Sequence, residues 1–496
     1  MITMTLLFAT IMLAHQNLVQ TLPEIPREFR GAWVATVDNI DWPSRRDLST
    51  AQQQAELLKI IENAHALHLN ALVFQIRPHG DALYPSKLEP WSEYLTGQQG
   101  RAPNPMWDPL EFAIKESHAR GIELHCWFNP YRANHPSQKG PCCDTHICKT
   151  NPECVKSYDR YQWMDPGEKM VQQHSLDVIL DVVKRYDVDG VHLDDYFYPY
   201  PIYDSSKHKV DFPDGASWTK YVQGGGRLSR GDWRRKNCDD FIENLYKGIK
   251  RIKKTVKFGI SPFGIARPNV PAGIKAGVDQ YNDLYADAQK WLENGWCDYY
   301  APQLYWAINS PGQPYEQLLK YWIKENKMNR HVWAGLYTSR LDPKEGNYKT
   351  PEIISQIAIS RKDQSSEGNI HFSYKALALN NQNIAGALEK GPYAHQAFIP
   401  ESPWLGDKQP RSPRVVRQDG ISFEVNKLDQ FMAVCYGTLK DSAAGDDPEN
   451  VVWGNWRQYR SGDRISFLQG AKGPIAAVTF SNTGIVSEPV IQPTSK

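Results

Sequence analysis

The sequence predicts an α/β fold, a (β/α)8 TIM barrel followed by a small C-terminal β-sandwich. Three observations predict it. From Arg30 to about Leu388 one unit recurs: a short apolar strand, a long loop, an amphipathic helix. Eight strands with eight intervening or closing helices can be counted, the number that closes a barrel. Past Pro400 the character changes. Pro403, Pro410 and Pro413 mark a linker, and short alternating segments such as Ile421-Ser422-Phe423-Glu424-Val425 replace the helices. At 496 residues the chain is too long for one ordinary domain. The expected division is a signal peptide at 1–20, a barrel at 27–392, a linker at 393–413 and a β-sandwich at 414–496.

The first strand is Arg30 to Thr36, and a helix follows over Thr50–Leu67. Thr50 and Gln53 read as its capping box, and Leu57, Leu58, Ile61 and Ala64 line one face. The second strand is Ala71 to Ile76. The next helix opens at Asp108-Pro109 and closes at Gly121, and the third strand runs from Ile122 to Phe128. A helix through Leu176–Val183 leads into the fourth strand, Gly190–Leu193. A helix carrying Phe241, Leu245, Ile249 and Ile252 precedes the fifth, Val256–Ser261. Helices at Leu284–Leu292, Tyr315–Trp322 and Ile353–Ile359 precede strands at Tyr299–Gln303, Val332–Leu336 and Ile370–Tyr374, and a last helix covers Ala378–Glu389. The competing topology is an open doubly wound sheet. No GxGxxG follows the first strand, which speaks against its dinucleotide-binding form.

A net charge of +1 gives no electrostatic case for nucleic acid or an anionic membrane. The 16 Trp and 25 Tyr cluster near strand ends, which suits stacking against sugar rings. Thr5 to Ala14 is one apolar run, too short to span a bilayer and of signal-peptide length, so the expected location is secreted or periplasmic, with no transmembrane anchor. Cys142, Cys143, Cys148 and Cys154 cluster around His146. Without a CxxC pair, and given export, they read as one or two loop disulfides rather than a zinc knot.

Barrel active sites lie where the strands end. The residues there are Asp38 and Asp41, read as turn caps; Arg77, His79 and Asp81; Asn129, Tyr131 and Arg132; Asp194 and Asp195; Ser261, Phe263 and Arg267; Gln303, Tyr305 and Trp306; Tyr337 and Arg340; and Lys375. The strongest signal is the fourth strand, an apolar run that ends in two adjacent carboxylates and then runs into Tyr196, Phe197, Tyr198 and Pro199. Carboxylates ringed by aromatic faces at the end of a buried strand suit sugar chemistry. Arg77 and Asp81 read equally well as a structural ion pair. His192 reads as either a satisfied core histidine or a site residue facing the same side as Asp194. No His-His-carboxylate set has metal-ligand spacing and no GxSxG elbow exists, so no metal or cofactor is assigned.

The motifs Phe29-Arg30-Gly31-Ala32-Trp33, Gln75-Ile76-Arg77-Pro78-His79-Gly80-Asp81-Ala82, Trp127-Phe128-Asn129-Pro130-Tyr131-Arg132 and His192-Leu193-Asp194-Asp195-Tyr196-Phe197-Tyr198-Pro199 resemble the glycosyl hydrolase-like family ten. So do Asp232-Trp233-Arg234-Arg235, Phe258-Gly259-Ile260-Ser261-Pro262-Phe263-Gly264, Tyr285-Ala286-Asp287 and Pro302-Gln303-Leu304-Tyr305-Trp306. The match covers roughly residues 27 to 390, in order.

The resemblance implies a (β/α)8 glycoside hydrolase acting on a polysaccharide, with peptidoglycan glycan strands lacking stem peptides, or another N-acetylhexosamine glycan, as substrate, and with cell-wall association. Some enterobacterial members are outer-membrane lipoproteins; no lipobox cysteine is present here, so that anchor does not carry over. The cysteine cluster after the third strand reads as an insertion, and the C-terminal part loosely resembles a fibronectin-III-like tail. Asp194, Asp195 and Asp287 are the expected catalytic residues. Arg77, Asp81, Asn129, Tyr131, Arg132, His192, Tyr196, Gln303, Tyr305 and Trp306 are the expected substrate contacts. Either Asp194 pairs with an acid from another strand, Asp81 or Asp287, or Asp194 and Asp195 work as neighbours, one orienting a substrate acetamido group and the other acting as general acid. The competing readings are a barrel that binds carbohydrate without cleaving it and a surface adhesion protein.

Overall fold

The computed structural model describes residues 19, 21–363, 366–406, 408–417, 421–424, 431–441, 447–460 and 473–492. The expected signal segment lies outside the described residues, Val19 excepted. No helix among the described residues is long and apolar enough to cross a membrane. The chain divides into two units. One comprises Phe29–His118 and Ile122–Ala394; the other comprises the described residues up to Glu28, Ala119–Gly121 and those from His395 on.

The first unit is built on a parallel sheet of nine segments: β1 Phe29–Val34, β2 Ala71–Arg77, β3 Glu123–Phe128, β4 Gly190–Leu193, β5 Lys257–Ile260, β6 Tyr299–Tyr300, β7 His331–Val332, β8 Ala334–Leu336 and β9 Gly368–His371. The order across the sheet is β7-β6-β5-β4-β3-β2-β1-β9-β8. The two outermost segments are consecutive in the chain, separated only by Trp333. β7 pairs with β6 and β8 pairs with β9, so the sheet curls until it nearly closes on itself. That geometry replaces the open doubly wound alternative. The expected seventh strand is thus two half-strands bonded to different neighbours. The expected sixth strand is cut to two ladder residues because Pro302 has no N–H to donate.

Nearly all strand residues are buried on both faces, as a sheet covered by helices requires. The covering helices include α1 Thr50–Ala66, α2 Pro109–His118, α3 Lys169–Arg185, α4 Arg230–Ile252, α5 Ala288–Glu293, α6 Tyr315–Glu325, α7 Thr350–Ser360 and α8 Ile384–Lys390. The capping box of α1 is formed one residue earlier than expected, by Ser49 and Gln52. Thr50 and Gln53 instead bond the carbonyls of Pro105, Leu48 and Leu95. The expected last helix is broken: Asn380, Gln382 and Asn383 sit at φ 50°, 51° and 57°, so helix stops and restarts at Ile384.

Aromatic rings fill the barrel interior. Phe29 stacks on Trp333 at 3.7 Å between centroids, and Trp333 on Tyr299 at 4.7 Å. A Cβ on Gly259 would overlap the Tyr299 ring at 1.8 Å, so a glycine is needed where that ring crosses β5.

In the second unit, β12 Phe431–Leu439 is the spine of an antiparallel sheet. It pairs with β15 Ile475–Phe480, β13 Val451–Trp453 and β14 Arg457–Arg460, and β15 pairs in turn with β16 Val490–Gln492. A separate hairpin joins β10 Arg414–Arg417 to β11 Ile421–Glu424. Phe398, in the segment read as a linker, stacks on Phe480 at 4.7 Å and belongs to this unit's core.

Candidate active site

A cavity of about 300 Å³ opens at the C-terminal end of the barrel strands. It is lined by groups from strands far apart in sequence: Trp33 on β1 and Ala35 after it, Gln75 on β2, Trp127 and Arg132 around β3, Asp194 to Tyr196 and Tyr200 after β4, Ser261, Gln303 and Tyr305, then Tyr337 and Phe372. Asp194 and Asp195 are the two carboxylates among these lining residues. Both lie beyond Leu193, the last ladder residue of β4, where strand alternation no longer sends neighbours to opposite faces.

Asp194 is held from below. Its Oδ2 accepts from Trp127 Nε1 at 3.0 Å and from Asn129 Nδ2 at 2.5 Å, and its Oδ1 accepts from the Tyr196 amide at 3.3 Å. Burial, and then the adjacent Asp195 charge, push it up to about 7 despite these donors and the nearby Arg132. Asp195 accepts from the Tyr200 hydroxyl and from Gln303, and burial raises it too. Gln303 is fixed by donating to the Ser261 carbonyl at 3.0 Å. The Arg132 guanidinium lies 4.4 Å over the Tyr196 ring. Opposite, Tyr305 packs on Tyr337 at 4.7 Å and on Phe372 at 5.8 Å, and Phe372 meets Trp33 at 6.1 Å, a wall of aromatic faces.

Of the expected substrate contacts, Arg132, Tyr196, Gln303 and Tyr305 line the cavity. Asn129 touches it through Asp194 alone. His192 lies one layer down, fully buried. Its Nδ1 meets the Tyr299 hydroxyl at 2.9 Å, and its Nε2 meets Ser261 Oγ at 2.9 Å and Trp33 Nε1 at 3.1 Å. Burial holds it well below 6.5, so it is a neutral floor that seats Ser261 and Trp33.

Five expected residues are elsewhere. Arg77 is enclosed, forked onto Glu89 at 2.8 and 2.5 Å and bonded to the Asn129 carbonyl; its partner is not Asp81. Asp81 is buried against Gln99 at 3.1 Å. Tyr131 packs its ring on Phe241 at 5.2 Å. Trp306 stands edge-on to Phe263 at 5.6 Å. Asp287 caps α5 by accepting from the Lys290 amide at 3.3 Å, the ordinary task of an Asp before a helix. Asp41, read as a turn cap, fastens the end of β1 to that of β9 through the Ala35 amide, Ser373 Oγ and the Lys375 amide.

Tyr337 and Ser261, expected at strand ends, line the cavity, and so do Trp33, Gln75, Trp127, His135, Tyr200 and Phe372, which are not among the expected strand-end residues. Trp127 carried a usable signal: it stands two before Asn129, the spacing of one strand face.

The sequence matches the family described as Glycosyl hydrolase-like 10 over residues 28–349. It is 39% identical over 405 residues to the protein named Glycosyl hydrolase YngK of Bacillus subtilis (strain 168), covering 79% of this chain and 77% of that one. It is 32% identical over 379 residues to Glycosyl hydrolase DigH of Escherichia coli (strain K12), covering 71% and 84%. Among solved structures, the catalytic domain of a beta-amylase from Paenibacillus polymyxa aligns at 9% identity with a TM-score of 0.48, over 74% of this chain and 98% of that one.

Proposed function

The chain belongs to the Glycosyl hydrolase-like 10 family, and we propose that this glycoside hydrolase cleaves a glycan rich in N-acetylhexosamine by substrate assistance from the Asp194–Asp195 pair. The observation that carries the reading is that these two adjacent acids are the carboxylates lining the cleft, while Asp81 and Asp287 are engaged elsewhere. A mechanism pairing Asp194 with either distant acid loses its second partner.

Asp194 is assigned the general acid. A carboxyl pushed up to about 7 still carries its proton near neutrality; Oδ2 is taken by two donors, and Oδ1, with one long bond from the Tyr196 amide, keeps a lone pair to hold the proton. Asp195, oriented by Tyr200 and Gln303, holds the acetamido group. The acetamido oxygen attacks the anomeric carbon as the glycosidic bond breaks, and the leaving oxygen takes the Asp194 proton. The resulting oxazolinium is opened by water, whose proton returns to Asp194. The aromatic wall of Tyr305, Tyr337, Phe372 and Trp33 supports stacking of sugar faces. Glycan strands of peptidoglycan without stem peptides, implied by the family resemblance, are the substrate assigned first. A secreted or periplasmic location with cell-wall contact goes with that substrate.

Purified enzyme is incubated with denuded glycan strands, chitin oligomers and de-N-acetylated chitosan, and products are read by mass spectrometry. Cleavage of acetylated glycans, competitive inhibition by a thiazoline mimic of the oxazolinium, and a rate that falls as pH rises through about 7 are expected. Equal cleavage of the de-N-acetylated polymer would refute substrate assistance.

A further inference from the structure

Between β3 and β4 the chain leaves the barrel for residues 129–168. This excursion carries three short antiparallel strands, Arg132–Asn134, Val155–Tyr158 and Tyr161–Met164. It also carries a group of side chains that the glycosidase chemistry does not use. One donor atom each from Cys142, His146 and Cys148 lies within 4.8 Å of the other two. The expected loop disulfides are not formed: all eight cysteines are free.

We propose that Cys142, His146 and Cys148 bind a zinc ion that cross-links this excursion and holds His146 against the mouth of the barrel. Two thiolates and an imidazole are the donor set of a borderline-soft ion and not of Mg²⁺ or Ca²⁺. Bonds of about 2.0–2.3 Å place tetrahedral ligand atoms roughly 3.3–3.8 Å apart, so a spacing of up to 4.8 Å closes by about 1 Å on binding. Cys142 and Cys148 are partly exposed, which leaves them room to move.

The imidazole is already placed for such a role. His146 is fully buried, and its Nε2 faces the His79 carbonyl oxygen at 3.3 Å, the kind of backbone partner that fixes a metal-bound histidine. Nδ1 is then the unprotonated nitrogen; it accepts from the Cys148 amide at 3.2 Å, a long hydrogen bond that a metal displaces when it takes the same lone pair. Gln162 Oε1, 3.2 Å from Cys148 Sγ, or a water completes the shell.

The site has a structural consequence. His146 abuts the end of β2 so closely that a Cβ on Gly80 would come 2.9 Å from its Nε2. The same excursion supplies Arg132 and His135 to the cavity wall. A bound ion therefore fixes one wall of the cleft without touching substrate.

The test uses the full chain, with metal content measured by mass spectrometry and zinc binding by competition with a chromophoric chelator. One zinc per chain, a fall in Tm on its removal with recovery on re-addition, and a thiolate-to-metal absorption band when cobalt is substituted are expected. Binding should vanish in Cys142→Ser and Cys148→Ser. The cobalt band is read on the unaltered protein, so a poorly folding variant does not blunt the test. A protein lighter by two hydrogens with a Cys142–Cys148 cross-linked peptide would overturn the proposal. So would undetectable binding at micromolar zinc, or binding unchanged in both serine variants.

Discussion

The ends of β2 and β4 look alike in sequence and differ in what surrounds them. Each is a buried apolar strand that runs into charge: Arg77, His79 and Asp81 on one, Asp194 and Asp195 on the other. On β2 the charges are buried outside the cavity lining, and only Arg77 meets a full counter-charge. Arg77 forks onto Glu89, which also takes a hydrogen bond from His174 at 2.9 Å, and burial of Glu89 is overcome by Arg77 so that it stays well below the usual carboxylate range. On β4 no cation among the described residues lies within salt-bridge distance of the acids, donors fix them, and burial raises both. A strand-end position brings charge near a barrel mouth. What separates the two ends is the cavity: Asp194 and Asp195 line it, and Arg77, His79 and Asp81 do not.

The largest expected effect is at β4. Asp194→Asn removes the proton donor and lowers kcat by about 10³-fold or more, with circular dichroism and Tm showing an intact fold. Asp195→Asn lowers it comparably, because an unoriented acetamido group is a poor nucleophile. If both variants turn over acetylated glycan near the original rate, the assignment of this pair is wrong. The β2 end should respond in the opposite sense. Arg77→Met leaves Glu89 buried without its counter-charge and costs about 3–5 kcal/mol of stability. Chemical denaturation measures that loss, and kcat per folded molecule should stay within a few-fold. A large fall in kcat with unchanged stability would move Arg77 from scaffold to site.

How far the sequence reaches follows the same division. The barrel was legible because helix and strand periods alternate along it, and Asp194 and Asp195 because an apolar run ends on them. The split of the seventh strand at Trp333 was not, since both halves read as one apolar run and only closure of the sheet assigns them different neighbours. Glu89 lies in a loop twelve residues from Arg77, so no local pattern announced the pair. Tyr200 follows Asp195 through a proline-bounded coil with no period to place it. Trp33 and Phe372 come from two separate strands, and each alone reads as core, whereas Tyr337 is legible at a strand end. Asp287 was over-read: an acid in a family motif and an acid that caps a helix look the same until the helix is seen to begin at Ala288.

The sharpest test of the contrast is the smallest effect. Asp81 and Asp194 are both pushed up to about 7 by burial, so a raised carboxyl does not by itself mark the acid. In Asp81 the native state holds a proton that the unfolded chain, titrating near 3.8, has already released. Between about pH 4 and pH 7 the folded form therefore binds more protons, and its stability falls as pH rises; below that window the group contributes nothing, and above it the penalty is complete. Asp81→Asn removes the titrating group. Its advantage over the original chain should be absent at pH 4, grow to about 1–2 kcal/mol by pH 7 and level off above, since the full linkage is a ceiling and the amide must replace the carboxylate on Gln99. Its kcat should stay within about threefold. Denaturation curves across pH, set beside turnover at pH 6, separate the two acids: a stability gain with activity kept places Asp81 in the scaffold, whereas lost activity would return it to the catalytic pair.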